Sequence, residues 1–300
     1  MKTIHIIGSP TSDGQVALGT MSDFLNQAYG QTSDIAVTTC RMDEVVYLID
    51  QQECRMLDHK NGTDLRDNDL VWFRGKLAPV ITEAATIANY LQAHRVPVSN
   101  SFFAQRRGVG KINQMYVLAN NGLPIPKTLS AANNILPEYI GDYLSYPLIL
   151  KDTHGAHGDQ NYLVKDHTEL LDILQKNPDV RFMAQEFIKG EGDYRILFAG
   201  SEYLIIKRLG AADTHLNNTS QGATATLIPH AEFSQEIINQ ARKFADVCEY
   251  EIAGVDVIID SQTGQHYFLE INSQPQLATG AFLVEKKQLV GDYFKSLVEN

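Results

Sequence analysis

The chain changes character once, at Gly122-Leu-Pro-Ile-Pro126, and that change constrains the fold more than any other feature. Before it, short apolar runs alternate with stretches of helical spacing. Residues 2–7 read as a buried strand entering a turn at Gly8-Ser9-Pro10. Val16, Met21, Phe24, Leu25 and Ala28 then recur at helical intervals. Residues 45–49 and 69–73 read as further strands. Pro79 opens a helix with Ile81, Ala84, Ala85, Ala88 and Leu91 on one face, and 96–98 is a short strand. This alternation predicts a parallel three-layer α/β unit over roughly the first hundred residues. Residues 108–121 form a helix stopped by Gly122, and Pro124 and Pro126 mark a linker.

Beyond the linker the pattern predicts antiparallel sheets. Strands fall at 146–151, 161–164 and 182–188, with a helix at 167–176 capped by Asp166 and supported by Glu169. Residues 193–198 and 203–207 flank Ala199-Gly200-Ser201 and form a hairpin. Ser234 starts a helix with Ile237, Ala241, Phe244, Ala245 and Cys248 inward. Residues 254–260 and 266–272 pair across the turn 261–264, and a helix carrying Leu289, Tyr293 and Leu297 closes the chain. The second half is therefore α+β.

Composition narrows the functions. With 44% hydrophobic residues and 20% charged, the chain can bury cores, and disorder is excluded as its dominant state. The net charge of −11 argues against a bulk electrostatic grip on nucleic acid or a membrane, though not against a local basic pocket. Three cysteines without a C-x-x-C pair read as reduced thiols, not as a zinc site or disulfide framework. The first apolar run is too short for a signal-peptide core, and no run approaches a membrane span, so the expected location is cytoplasmic.

The chemistry begins with carboxylates. A strand period of two puts Phe268, Glu270 and Asn272 on one face, and puts Asp256 opposite to Val255 and Val257. If these strands form a hairpin, Asp256, Glu270 and Asn272 converge as hard oxygen ligands, suited to magnesium shared with nucleotide phosphates. The plain alternative is a solvated sheet face. Lys111, Lys151, Lys207 and Arg208 sit at helix or strand positions where each alone reads as a surface cation. Gly155-Ala-His-Gly158 could cover phosphates with its backbone amides; His154 and His157 beside them read as parts of a polar loop. Neither G-x-x-x-x-G-K-[ST] nor G-x-G-x-x-G is present.

The order of these residues carries more than any one of them. Lys111, Lys151 with its glycine loop, Gln185-Glu-Phe-Ile188, Asp193-Tyr-Arg195, Lys207-Arg208, Asn217-Asn218, Asp256 and Glu270-Ile-Asn272 follow one another over residues 106–298. That series resembles the ATP-grasp superfamily, most closely its RimK-like branch of carboxylate–amine ligases. The resemblance implies an ATP-grasp fold behind an N-terminal parallel α/β domain. The domains it implies are a pre-ATP-grasp domain at 1–105, a central lid subdomain with its linker helix at 106–185, and a C-terminal subdomain with the metal site at 186–300.

It also implies roles. Lys111, Lys151 and the loop glycines Gly155 and Gly158 would hold phosphates. Glu186, Phe187 and Ile188 would form the adenine edge, and Glu191 or Asp193 would lie near the ribose. Asp256, Glu270 and Asn272 would ligate two Mg2+ ions, with Mn2+ an alternative. Arg195, Lys207 and Arg208 would face the γ-phosphate and acyl phosphate, and Asn218, or its neighbour Asn217, would lie near the metal–phosphate site. Arg74, at the end of a buried strand, is a candidate for a substrate carboxylate, against the plain reading of an exposed arginine.

Two stretches depart from the resemblance. Ser273-Gln274-Pro275-Gln276 replaces the usual Ser-Pro-Gly, and Gln221 stands where a first glycine is usual. The implied activity is an ADP-forming ligase that joins a carboxylate to an amine, of an amino acid or peptide, through an acyl phosphate. The rivals are phosphorylation without amide formation and a nucleotide-binding regulator without turnover. Whether the chain forms a homo-oligomer stays open.

Overall fold

A computed structural model describes residues 1–30, 34–105, 110–153, 160–210 and 224–299. The parallel unit comprises β1 (Lys2–Gly8), α1 (Ser12–Tyr29), β2 (Ile35–Arg41), and a side sheet of β3 (Val45–Ile49), β4 (Cys54–Asp58) and β5 (Thr63–Asp64). β6 (Leu70–Arg74), α2 (Ile81–Ala93) and β7 (Val98–Ser99) complete it. The main sheet runs β2-β1-β6-β7, all parallel. Alternation along the strands decides the layers. Ile4, Ile6, Leu70 and Trp72 pack on α1, while Ile7, Val71 and Phe73 face α2 and the side sheet. The strand expected at 45–49 exists, but it pairs antiparallel in the side sheet and is not a parallel strand of the main one.

The second half begins with α3 (Lys111–Asn120), β8 (Thr128–Ser130), α4 (Leu136–Tyr143), β9 (Leu148–Asp152), β10 (Asn161–Val164), α5 (His167–Lys176) and β11 (Phe182–Glu186). Their antiparallel sheet runs β10-β9-β11-β8 and encloses its own small core with α4 and α5. The Asp166 side chain caps α5 by accepting the Glu169 amide at 2.9 Å. Next come β12 (Asp193–Ala199), β13 (Glu202–Leu209), β14 (Thr224–Leu227), α6 (Gln235–Cys248), β15 (Ile252–Ile259), β16 (His266–Asn272) and α7 (Leu283–Glu299). This five-stranded sheet runs β14-β13-β12-β15-β16.

The parallel unit and the last sheet share cores. α7 lies between α1 and the five-stranded sheet, with Phe294 edge-on to Trp72 at 4.9 Å between ring centroids. Buried Asn100 accepts the Ile252 amide and donates to the Ile252 and Ser273 carbonyls. Helix α3 packs on β16, where Gln114 satisfies both backbone groups of Ile271. These bonds leave the four-stranded sheet of residues 128–186 as the unit with its own separate core.

Candidate active site

One face of the five-stranded sheet is apolar: Ile196, Phe198, Val255 and Val257 pack toward α6. The opposite face must then carry residues 193, 195, 208, 256, 270 and 272. One expectation fails. Phe268 does not share a face with Glu270, because β16 has a bulge at Leu269: Asp256 opposes Glu270, whereas the next residue, Val257, opposes Phe268. The extra residue turns Phe268 into the core, fully buried, and leaves Glu270 and Asn272 on the polar face. The Phe268 amide leaves the ladder and donates to the Pro124 carbonyl at 2.9 Å.

The polar face is a network of buried charge. Arg195 grips Asp256 with two bonds of 2.7 Å, from Nε and Nη2. Arg208 donates from Nε to Asp193 at 2.6 Å and reaches Asp256 from Nη2 at 3.1 Å. Burial alone would raise the Asp256 carboxyl; the two guanidiniums overcome it and hold it at about 2. Burial raises Asp193 to about 6, because one arginine must serve it while Asp256 lies close. Burial would lower Arg208, and the two carboxylates lift it instead.

Asn272 donates from Nδ2 to Glu270 Oε1 at 2.9 Å, which leaves its carbonyl oxygen and Glu270 Oε2 as donors for a hard cation. Asp256 retains one lone pair on Oδ1, since Arg195 Nε takes the other. The donor set is all oxygen and fits magnesium.

The central sheet supplies the facing cations. Lys151, on β9, is lowered by burial, raised by Glu270, lowered by Lys111, and raised again by Asp256 and Asp193. Lys151 therefore lies within electrostatic reach of the carboxylates of β15, β16 and β12, and of Lys111 on α3. Lys111 donates to the Asp152 carbonyl at 2.8 Å, which ties the start of α3 to the end of β9.

The remaining expected residues divide into three groups. Lys207 is not brought to the cluster: it alternates with Arg208, pairs with Tyr194 and lies 5.8 Å from that ring on the opposite face. Asn217, Asn218, Gly155, Gly158, His154 and His157 lie outside the described residues. Along the edge, Glu186 ends β11, is exposed and exchanges bonds with the Lys127 backbone; Phe187 is half-buried and Ile188 buried. Asp193 is committed to Arg208 inside the network.

The loop after Asn272 joins the site to the parallel unit. Gln274 donates to the Phe73 carbonyl and accepts the Gly75 amide, and Arg74 donates from Nη2 to the Pro275 carbonyl at 3.2 Å. Arg74 is buried, stacked 4.8 Å from the Trp72 ring centre, and its Nη1 has no hydrogen-bond partner among the described residues. Burial pulls it down to about 10.

Sequence reasoning missed Lys286. It is 5% exposed on the first turn of α7 and lines a pocket with Arg195, Arg208, Gln276 and Phe282. Its ammonium donates to the Thr279 carbonyl at 3.2 Å and pairs with no carboxylate among the described residues. Burial, then Arg195, pulls it down to about 8. The only signal in the sequence was a lysine at an inward helical position, three before Leu289.

Buried arginines and carboxylates on one sheet, within electrostatic reach of Lys151 on another, concentrate charge of both signs in one place. The chain belongs to the RimK-like ATP-grasp domain family, which matches residues 109–286. It is similar to the probable alpha-L-glutamate ligase of Pasteurella multocida, 26% identical over 64% of this chain and 61% of that protein. It is also similar to the alpha-aminoadipate–LysW ligase LysX of Sulfurisphaera tokodaii, 27% identical over 55% of this chain and 59% of that protein. The matches thus span about three fifths of the length of these curated relatives.

Among solved structures, the fold is similar to the ATP-grasp ligase PsnB complexed with minimal precursor, Mg and ADP. That likeness has a TM-score of 0.71 at 13% identity, covering 99% of this chain and 98% of that one. The D-alanine–D-alanine ligase of Bacillus anthracis complexed with ATP has a TM-score of 0.67 at 18% identity, covering 100% and 98%.

Proposed function

We propose that this protein is an ATP-dependent, ADP-forming ligase that joins a carboxylate to an amine through an acyl phosphate, using magnesium, on an amino acid or peptide. The observation that carries the reading is the buried network of Arg195, Arg208, Asp256 and Asp193 beside the Glu270–Asn272 pair, with Lys151 within electrostatic reach of it. Magnesium, when bound, supplies charge neutralisation for the transferring phosphoryl group. Glu270 and Asn272 would hold it, with Asp256 contributing its remaining lone pair.

The chain's own cations do the rest. Lys151 on β9 and Lys111 at the start of α3 bind nucleotide phosphates. Arg195 and Arg208 are fixed by Asp256 and Asp193 before substrate arrives, so little reorganisation is needed as charge develops. Glu186, Phe187 and Ile188 form the edge that receives the adenine.

Lys286 narrows the substrate. A buried ammonium without a carboxylate partner is costly, and its pocket opens beside the two arginines. The pocket takes an anionic group of the amide-forming substrates, such as a carboxylate on the amine acceptor. Arg74, with an Nη1 unpaired among the described residues next to the loop 273–276, serves a second carboxylate at the domain junction. The similarity to a probable alpha-L-glutamate ligase and to an alpha-aminoadipate–LysW ligase is consistent with acidic substrates. The test is ADP release screened over carboxylates and amines, with mass spectrometry of products. Amide formation requiring both substrates supports the reading. ADP release with only a phosphorylated product would replace it by a kinase-type output.

A further inference from the structure

His5, Cys40 and Asp58 meet away from every residue used above. They come from three strands of two sheets: β1, β2 and β4. Their side chains are 1%, 1% and 0% exposed. His5 Nε2 lies 3.2 Å from Cys40 Sγ and 3.8 Å from Asp58 Oδ2, and the three donor atoms all fall within 4.8 Å of one another. The contact between His5 and Asp58 is too long for a hydrogen bond.

It suits a shared ion better. Zinc bonds of ~2.3 Å to sulfur and ~2.0 Å to nitrogen or oxygen put tetrahedral donor–donor edges at about 3.3–3.6 Å. The observed separations of 3.2 and 3.8 Å bracket that range.

The surroundings hold His5 and Asp58 from behind, as ligands of a bound ion are held. Thr38 Oγ1 contacts His5 Nδ1 at 2.7 Å, which leaves Nε2 for the cluster. Asp58 Oδ1 accepts the Lys60 and Asn61 amides at 2.8 and 3.2 Å, and Asn61 Nδ2 donates to Oδ2. The charges also balance: a neutral imidazole, a thiolate and a carboxylate cancel a divalent cation, which makes a fully buried ion affordable.

We infer that His5, Cys40 and Asp58 form a structural site for a thiophilic divalent cation of the zinc class, which pins the side sheet to the parallel sheet. The cation displaces the Cys40 thiol proton to solvent as the metal–sulfur bond forms. A fourth position remains for a water molecule, since Asp58 Oδ1 already accepts two backbone amides. The site corrects the expectation that no cysteine here serves a metal: the motif is absent because topology, not spacing, assembles the donors.

The enclosure of the donors means that metal must enter as the chain folds. The full chain is therefore produced in zinc- or cobalt-supplemented medium and purified natively without chelators. The expected result is about one zinc per chain by elemental analysis. The cobalt-grown protein should show a thiolate-to-cobalt charge-transfer band, which oxygen ligands at the nucleotide site cannot give. Cys40→Ser should remove that band, Cys54→Ser should keep it, and Asp58→Asn should lower metal content. Zinc at background level in the wild type, or a band that survives Cys40→Ser, overturns the inference. The wild-type measurements decide it even if Cys40→Ser or Asp58→Asn fails to fold.

Discussion

Replacing Lys286 by methionine should separate function from stability in opposite directions. The ammonium is 5% exposed, holds one carbonyl at 3.2 Å and meets no carboxylate among the described residues. Its stem would be conserved by methionine, and removing a buried charge without a partner is neutral or stabilising. The thermal midpoint should therefore stay or rise.

A charge-assisted bond from Lys286 to a substrate anion contributes about 1.5–3 kcal/mol, so its loss should raise KM for the acidic substrate roughly 10- to 150-fold, with KM for ATP near wild type. The pH dependence adds an independent sign. Burial lowers Lys286 from 10.5 to about 8. Between those values the unfolded chain holds the proton that the folded chain releases, so wild-type stability should gain on the variant as pH rises through that window. KM for the acidic substrate should climb above about pH 8 in the wild type, and Lys286→Met should abolish that inflection. A falling thermal midpoint with unchanged KM would refute the reasoning, because it would make Lys286 a packing residue.

Three further outcomes test the site. Glu270→Gln removes a ligand charge but keeps its shape, so folding by circular dichroism should be retained while ATP turnover falls at least about 100-fold, a loss of ~3 kcal/mol. Lys151→Ala should weaken ATP by about 1.5–3 kcal/mol in calorimetry, since one charge-assisted bond to phosphate is lost. Arg74→Lys should raise KM for one carboxylate substrate and leave nucleotide affinity unchanged; identical steady-state constants would reduce Arg74 to the tie it makes with Pro275.

Much of this architecture was legible because the strands that build the site alternate strongly. Asp256, Glu270 and Asn272 are polar residues set among apolar strand formers, and period two places them together, whereas Asp193 and Arg195 were singled out only by the family resemblance. Where that period fails, the failure is local and physical. The bulge at Leu269 reverses Phe268, and Lys207 loses its expected place simply by adjoining Arg208.

Strands with mixed composition were harder to see. β2, at the edge of the main sheet, and β4, in the middle of the side sheet, mix threonine, arginine and aspartate with apolar residues, so neither shows a clean pattern. α4 has eight residues and starts at Leu136-Pro137, too short for a periodic signal. Lys286 looks like an ordinary helical lysine until the loop 273–282 folds over it. No spacing rule joins His5 to Asp58.

The polar face also shows why charge could be concentrated there. The same face of the five-stranded sheet carries two uses along its length. At one end Leu197, Ala199 and Ile252 bury against α7 and the parallel unit; at the other, Arg195, Arg208, Asp256 and Glu270 remain polar. A face that was apolar throughout would bind α7 along its whole length and close the cleft. A face that was charged throughout would lose the packing that fixes the sheet. The division falls one alternation apart, between Arg195 and Leu197, where both side chains line the Lys286 pocket. That pocket is therefore the place where the apolar contact with α7 ends and the charged face begins. An anion seated there would lie against elements fixed by the core, which is the preorganisation that a phosphoryl-transfer site requires.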